Sequence, residues 1–193
     1  HVAETRDEEQ FTLEKYGLRP LAYLHSLGWT GPDVWYAHGI WFNDAELRLL
    51  ADTGTGVAHC PASNMKLASG VCRVPEMRKL GVPVGLAVDG AASNDGSSLL
   101  EEMRVCYLLH RLHSSAAAPT GYDVLKMATR GSARLLGRDD LGQLAPGKAA
   151  DFFLVNLERL GLVGAQFDPM SMLGTVGFPG SVDYTVVGGV PVV

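Results

Sequence analysis

The sequence predicts an α/β fold in which successive parallel strands carry side chains to one rim, as in a β/α barrel, followed by a β-rich tail. Three observations predict it. Short apolar runs recur at 34–41, 56–59 and 82–89, and each carries at or near its end a group able to bind a metal or move a proton: His38, His59 and Asp89. Stretches with helix start and stop signals separate these runs. Beyond about residue 137 the alternation stops, and short strand-like runs alternate with turns rich in Gly and Pro. A strand end holds its side chain with little freedom, and the C-terminal rim of a parallel barrel collects such ends.

The elements follow in order. Residues 7–16 predict a helix with Asp7 as N-cap and Gln10 reaching back three positions later, a capping-box-like pair. Residues 20–27 predict a second short helix, stopped by Gly28. The run 34–41, apolar with aromatics, predicts a buried strand. Asn43 with Glu46 signals a cap for a helix running to about Asp52, closed by Gly54. Residues 56–59 predict a short strand. Pro75 sits where a helix can begin and Gly81 where it ends. The run 82–89 predicts the next strand. Ser97 or Ser98 caps a long helix from Leu99 to about Leu112. Thr120 and Asp123 cap another over 122–136, closed by Gly137. In the tail, 151–156 and 182–187 predict strands, and Gly188-Gly189 predicts a tight turn into 190–193.

Composition sets bounds. The chain has 193 residues, 47% hydrophobic and 19% charged, which reads as globular and excludes disorder. That length suits one domain with a core, or one and a half small ones. Sixteen basic and twenty-one acidic residues give a net charge of −5 with no basic run, so a nucleic-acid partner is not expected. A small neutral or cationic substrate fits the charge better. No apolar run approaches the ~18 residues of a membrane span. Three cysteines, Cys60, Cys72 and Cys106, form no C-x-x-C pair, which argues against a disulfide scaffold and for a reducing, cytoplasmic setting. There is no initiator Met or signal-peptide pattern, and a candidate ligand stands at residue 1, so the chain is expected to begin in mid-fold.

The candidate chemistry rests on His1, Glu4, His38, His59 and Asp89. Metal sites in hydrolases use neutral imidazoles and a carboxylate, with one position open for water. A nearby carboxylate then shuttles the proton. Taken singly, each residue has a structural reading beside the chemical one. His38 reads equally as a core histidine, Asp89-Gly90 as a strand-ending turn, His59 as a packing residue and Glu4 as a helix cap. His25, His110 and His113 lie on helical stretches and read as surface or core. Four polar groups at successive run ends make the chemical reading the better one for the set.

The segments His1-Val2-Ala3-Glu4-Thr5, Ala37-His38-Gly39, His59-Cys60-Pro61-Ala62-Ser63-Asn64-Met65-Lys66-Leu67-Ala68-Ser69-Gly70 and Val88-Asp89-Gly90-Ala91-Ala92-Ser93-Asn94 resemble the amidohydrolase superfamily. Within it they resemble the cytosine/guanine/S-adenosylhomocysteine deaminase branch, and the stretch 88–111 is most similar to its 8-oxoguanine deaminases and hydroxydechloroatrazine-type ethylaminohydrolases. Residues 141–151 look like that family's turn into its small β-sandwich. The resemblance implies the C-terminal half of a (β/α)8 TIM-type barrel over 1–140, strands five to eight with their helices, and part of a β-sandwich domain over 141–193. It implies His1 as the fifth-strand metal ligand, with Asp89 and, as a further candidate, His38 beside it. Glu4, His38 and Asp89 become the catalytic groups. Glu4 contacts the substrate ring, and His59, Asn64 and Asn94 are further substrate-binding candidates. The implied cofactor is one divalent metal, zinc first and iron second.

The implied reaction is hydrolytic deamination of an amino-substituted heteroaromatic ring, 8-oxoguanine or a related purine or pyrimidine. Its partners are that small heterocycle and water, and the full-length protein is expected to be a homo-oligomer. Alternatives are a hydroxytriazine ethylaminohydrolase or chlorohydrolase, or a non-catalytic barrel scaffold. The scaffold reading arises because the family's first-strand His-x-His pair has no counterpart here. Strands one to four are expected in the parent protein, and residues 1–193 expressed alone are expected to aggregate.

Overall fold

The computed structural model describes residues 1–178 and 180–192. Helix α1 spans Arg6–Tyr16 and ends at Gly17 in the left-handed conformation (φ 68°). Its start differs from the expected one. Thr5 is the N-cap, and Asp7 lies inside the first turn. The backbone amides of Ala3 and Glu4 are held by the Glu8 carboxylate instead, at 2.8 and 3.0 Å. Gln10 turns along the helix to donate to Glu14. The short helix α2 (Pro20–Ser26) begins on its proline.

A parallel three-stranded sheet follows, built from β1 (Trp35–Ala37), β2 (Gly56–His59) and β3 (Val84–Leu86) in spatial order β1-β2-β3. Its register pairs Ala37 with Ala58 and His59 with Leu86. Helix α3 (Asp44–Thr53) connects β1 to β2, with Asn43 and Glu46 forming the expected capping box. Helices α4 (Pro61–Lys66) and α5 (Val74–Leu80) connect β2 to β3. The outer strands are shorter than the apolar runs that predict them. The ladder stops where the backbone turns left-handed, at His38 (φ 73°), and past β3 it turns left-handed again at Asp89 (φ 67°). Val2 adds a single parallel bridge to His38, so His1 lies beside the sheet edge without a strand of its own.

After β3 come α6 (Ala91–Asn94) and the long α7 (Leu99–Ser114), whose start Ser98 caps by accepting from Glu101 N. Helix α8 (Gly121–Lys126) carries the expected Thr120–Asp123 capping box. It runs through a π turn, Met127–Gly131, into α9 (Ser132–Leu135). This segment lies against β3: a Cβ on Gly131 would meet Val84 O at 2.2 Å, so only glycine permits the approach. The core gathers between sheet and helices around Leu21, Leu47, Leu50, Val57, Val74, Met77 and Val124, all essentially inaccessible.

The tail forms a separate antiparallel sheet of β4 (Phe152–Leu154), β5 (Tyr184–Val187) and β6 (Val190–Pro191). Gly188 and Gly189, both at positive φ, make the tight turn between β5 and β6. Val193, the far end of the expected last strand, lies outside the described residues. Helix α10 (Met172–Thr175) packs a second small apolar cluster with Leu162, Ala165 and Phe178. The fold is thus mixed α/β, with one three-stranded parallel sheet and one three-stranded antiparallel sheet among the described residues. No helix among them is long and apolar enough to cross a membrane.

Candidate active site

The left-handed turn at the end of β1 swings His38 inward, where its ring is fully buried. Its Nδ1 lies 2.8 Å from Asn64 Oδ1. An amide oxygen only accepts, so Nδ1 carries a proton, and in the neutral ring Nε2 keeps its lone pair. That Nε2 is buried and makes no hydrogen bond among the described residues. It faces Glu4 Oε2 at 3.5 Å and Asp89 Oδ2 at 3.9 Å.

Asp89 leaves the sheet three residues beyond β3. Its Oδ2 accepts from Ser63 Oγ at 2.6 Å and Ser93 Oγ at 2.8 Å, while Oδ1 faces His1 Nε2 at 3.2 Å. Burial pushes the Asp89 carboxyl upward, but the two serine bonds, the Gly90 amide and the nearby His38 outweigh it and hold the group below the usual carboxylate range. Glu4 is fixed from the other side, its Oε1 accepting from Ser69 Oγ at 3.1 Å. The His1 and His38 rings lie 5.0 Å apart. Side-chain exposure runs from 0% at His38 through 13% at Asp89 and 22% at Glu4 to 66% at His1, so the cluster opens to solvent on the His1 side.

The structure therefore brings together His1, Glu4, His38 and Asp89. The donors fit a divalent cation. Two imidazoles and a carboxylate offer atoms within 4.8 Å of one another. The buried, unpartnered Nε2 of His38 faces the same carboxylates, and so leaves a nitrogen free for an ion there.

The other three candidates lie elsewhere or act differently. His59 ends β2, but its ring points to the helix layer, where Nε2 meets His110 Nε2 of α7 at 3.2 Å. Both rings are fully buried, and burial holds both below the ordinary histidine range, His110 at about 4. Cys106 lies beside the pair. An ion on the two Nε2 atoms would leave both Nδ1–H groups buried without the acceptor that a ligating histidine ordinarily has, since neither Nδ1 has a partner. The pair therefore reads as packing. Asn64 is fully buried, so it bears on His38 and not on a molecule arriving from solvent. Asn94 is turned inward, donating to Val88 O at 2.6 Å and Glu102 Oε1 at 2.7 Å.

Sequence reasoning gave Ser63, Ser69 and Ser93 no role and read Glu102 as solvated helix charge, whereas the residue is buried. Helix α4 was also not anticipated, and it is the element that delivers Ser63 to Asp89 and Asn64 to His38. The available signal was Pro61 at a helix start directly after the β2 end.

A family profile described as the amidohydrolase family matches residues 1–192. The chain belongs to the amidohydrolase family. It is 53% identical over 173 residues to an 8-oxoguanine deaminase of Pseudomonas aeruginosa, covering 90% of this chain and 38% of that protein. It is 49% identical over 192 residues to a hydroxydechloroatrazine ethylaminohydrolase of Pseudomonas sp. strain ADP, covering 98% of this chain and 40% of that protein. Among solved structures it superposes on an adenosine deaminase from Xanthomonas campestris with bound zinc, with TM-score 0.94 and 33% identity, over 99% of this chain and 44% of the other. An atrazine chlorohydrolase from Arthrobacter aurescens complexed with zinc matches with TM-score 0.91 and 34% identity, over 96% of this chain and 42% of the other. The chain thus spans well under half the length of these relatives.

Proposed function

We propose that His1, Glu4, His38 and Asp89 form part of the active site of a metal-dependent hydrolytic deaminase acting on an amino-substituted heteroaromatic ring, 8-oxoguanine or a related purine or pyrimidine. The observation that carries this reading is the buried, unpartnered His38 Nε2 facing two carboxylates. The likeness to an 8-oxoguanine deaminase over most of the chain supports the substrate class. Zinc is the proposed ion, supported by the zinc in two similar solved structures. In this reading residues 1–140 are strands five to eight of a (β/α)8 barrel with their helices, and 141–193 belong to a β-sandwich domain. The full-length protein is proposed as a cytoplasmic homo-oligomer, and the three buried, unbridged cysteines of residues 1–193 suit a reducing compartment.

His1, His38 and Asp89 would hold the ion. When bound, it would lower the pKa of a water and polarise it for attack. Asp89, kept ionised by Ser63 and Ser93, accepts the proton that the water loses. His38, its tautomer set by Asn64, keeps Nε2 directed at the place the ion would take. Glu4 delivers a proton to the ring nitrogen next to the carbon under attack. A C–O bond forms, Asp89 passes the proton it took to the amino group, the C–N bond breaks and ammonia leaves, and the proton of the new hydroxyl returns to Glu4. Ser69 keeps the Glu4 carboxyl turned toward the same point.

Ammonia release from 8-oxoguanine, guanine, isocytosine and hydroxytriazines by the intact protein tests this. Asp89→Asn and Glu4→Gln are each expected to lower kcat by about 100-fold or more. Near wild-type turnover in both would overturn the assignment. The 49% identity to the ethylaminohydrolase and the likeness to the atrazine chlorohydrolase favour a second reading, release of an alkylamine or chloride from a triazine. Turnover of hydroxytriazines or chlorotriazines with no purine turnover would establish it.

A further inference from the structure

Glu102 has no part in the chemistry described, yet its carboxylate is only 2% exposed. It lies on the first turn of α7, and no Lys or Arg pairs with it among the described residues. An unpaired carboxylate in the interior is costly unless its oxygens are satisfied. Burial pushes its pKa up, and two hydrogen bonds oppose that push. Oε1 accepts from Asn94 Nδ2 at 2.7 Å, and Oε2 from the backbone amide of Ala62 at 3.2 Å.

These two donors belong to the two segments that hold Asp89. Asn94 Nδ2 also donates to Val88 O at 2.6 Å, one residue before Asp89, and Asn94 Oδ1 accepts from Gly96 N at 3.2 Å. Ala62 lies in the first turn of α4, followed at once by Ser63, which donates to Asp89, and Asn64, which accepts from His38. Asp89 itself sits at φ 67°, a conformation that a non-glycine residue keeps only where its surroundings over-determine it.

We propose that Glu102 is a positioning residue for the metal site: its carboxylate clasps the Asp89 turn to the start of α4, and so fixes Asp89 and His38 relative to one another. This rests on the reading of His1, His38 and Asp89 as ligands. Outer partners of metal ligands act in this way, orienting groups that they never share with substrate.

The test is zinc affinity of the intact protein, measured by chelator competition beside the thermal midpoint, kcat and KM. Glu102→Ala is expected to weaken zinc binding about 10- to 100-fold and to lower kcat by a similar factor, with KM changed less than about threefold. Glu102→Gln keeps one acceptor and loses the other, and is expected to weaken zinc binding about threefold to tenfold. Val124→Ala, a core truncation outside the site, is expected to lower the midpoint and leave zinc affinity unchanged. Wild-type zinc affinity in Glu102→Gln or Glu102→Ala overturns the proposal. So does equal zinc loss in Val124→Ala, which would make the effect one of general stability. Asp89→Asn separates the two readings. If it too binds zinc and turns over as wild type, the ligand assignment fails. If it loses both while the Glu102 variants do not, only the role of Glu102 falls.

Discussion

His38 and His59 are both fully buried at the ends of neighbouring strands, and only their second partners tell them apart. His38 meets an amide oxygen on one nitrogen and two carboxylates near the other; His59 meets another imidazole. In sequence both read as a histidine closing an apolar run. The partner of His59 lies 51 positions away, so residue type and spacing pointed to His38 and Asp89, which the structure brings together, but did not separate His59 from them. The His59–His110 pair makes a pH prediction. Burial favours the neutral rings, so both titrate below their unfolded value near 6.5. Between that value and about 4 the unfolded chain binds more protons than the folded one. The stability from His110 is therefore fully present above pH 6.5 and is lost as pH falls through about 4, and that from His59 is lost in the same direction. For His110 this amounts to about 3 kcal/mol. Urea midpoints taken at steps from pH 7.5 to 4 are expected to fall over this window, and His110→Leu is expected to flatten the fall. A pH-independent wild-type midpoint would show that the pair does not resist protonation.

At the scale of elements, caps were the most legible signals. Asn43 with Glu46 and Thr120 with Asp123 form the boxes that their spacing predicts. These signals are local, so sequence order contains them. The α1 start was missed because Glu8 reaches back past Asp7 to the amides of Ala3 and Glu4, beside the site itself. Strand lengths were overestimated because apolar runs continue where the ladder has already ended, at His38 and past Leu86. The π turn between α8 and α9 had no signal in the hydrophobic pattern, because its cause is tertiary. Gly131 and Gly85 let that turn press onto β3, and Ser132 Oγ bridges to Leu86 there, donating to its carbonyl and accepting from its amide. Gly131→Ala places a methyl against the Val84 carbonyl, a backbone atom that cannot swing aside. It is expected to cost about 2 kcal/mol or more, seen as a midpoint lowered by roughly 4–8 °C. An unchanged midpoint would mean that the close approach of π turn and strand is not maintained in solution.

At the scale of the whole molecule, apolar surface and hydrogen-bonding edges remain open. Trp29 is 62% exposed, Leu112 88%, Phe167 89% and Leu160 92%. The parallel sheet has three strands, and Val2 makes only one bridge on the outer side of β1. Patches and edges of this kind drive association unless another surface covers them. Residues 1–193 expressed as an isolated polypeptide are therefore expected to self-associate at micromolar concentration, with light scattering that rises with concentration and strong binding of a hydrophobic dye. The same surface is expected to leave His1 poorly held, since its ring is mostly exposed and, among the described residues, hydrogen-bonds only to Asp89. Zinc binding by the isolated polypeptide should accordingly fall well below that of the intact protein. A monomeric species that melts in one cooperative step, with zinc affinity equal to the intact protein, would show that the three proposed ligands and the two small sheets suffice on their own.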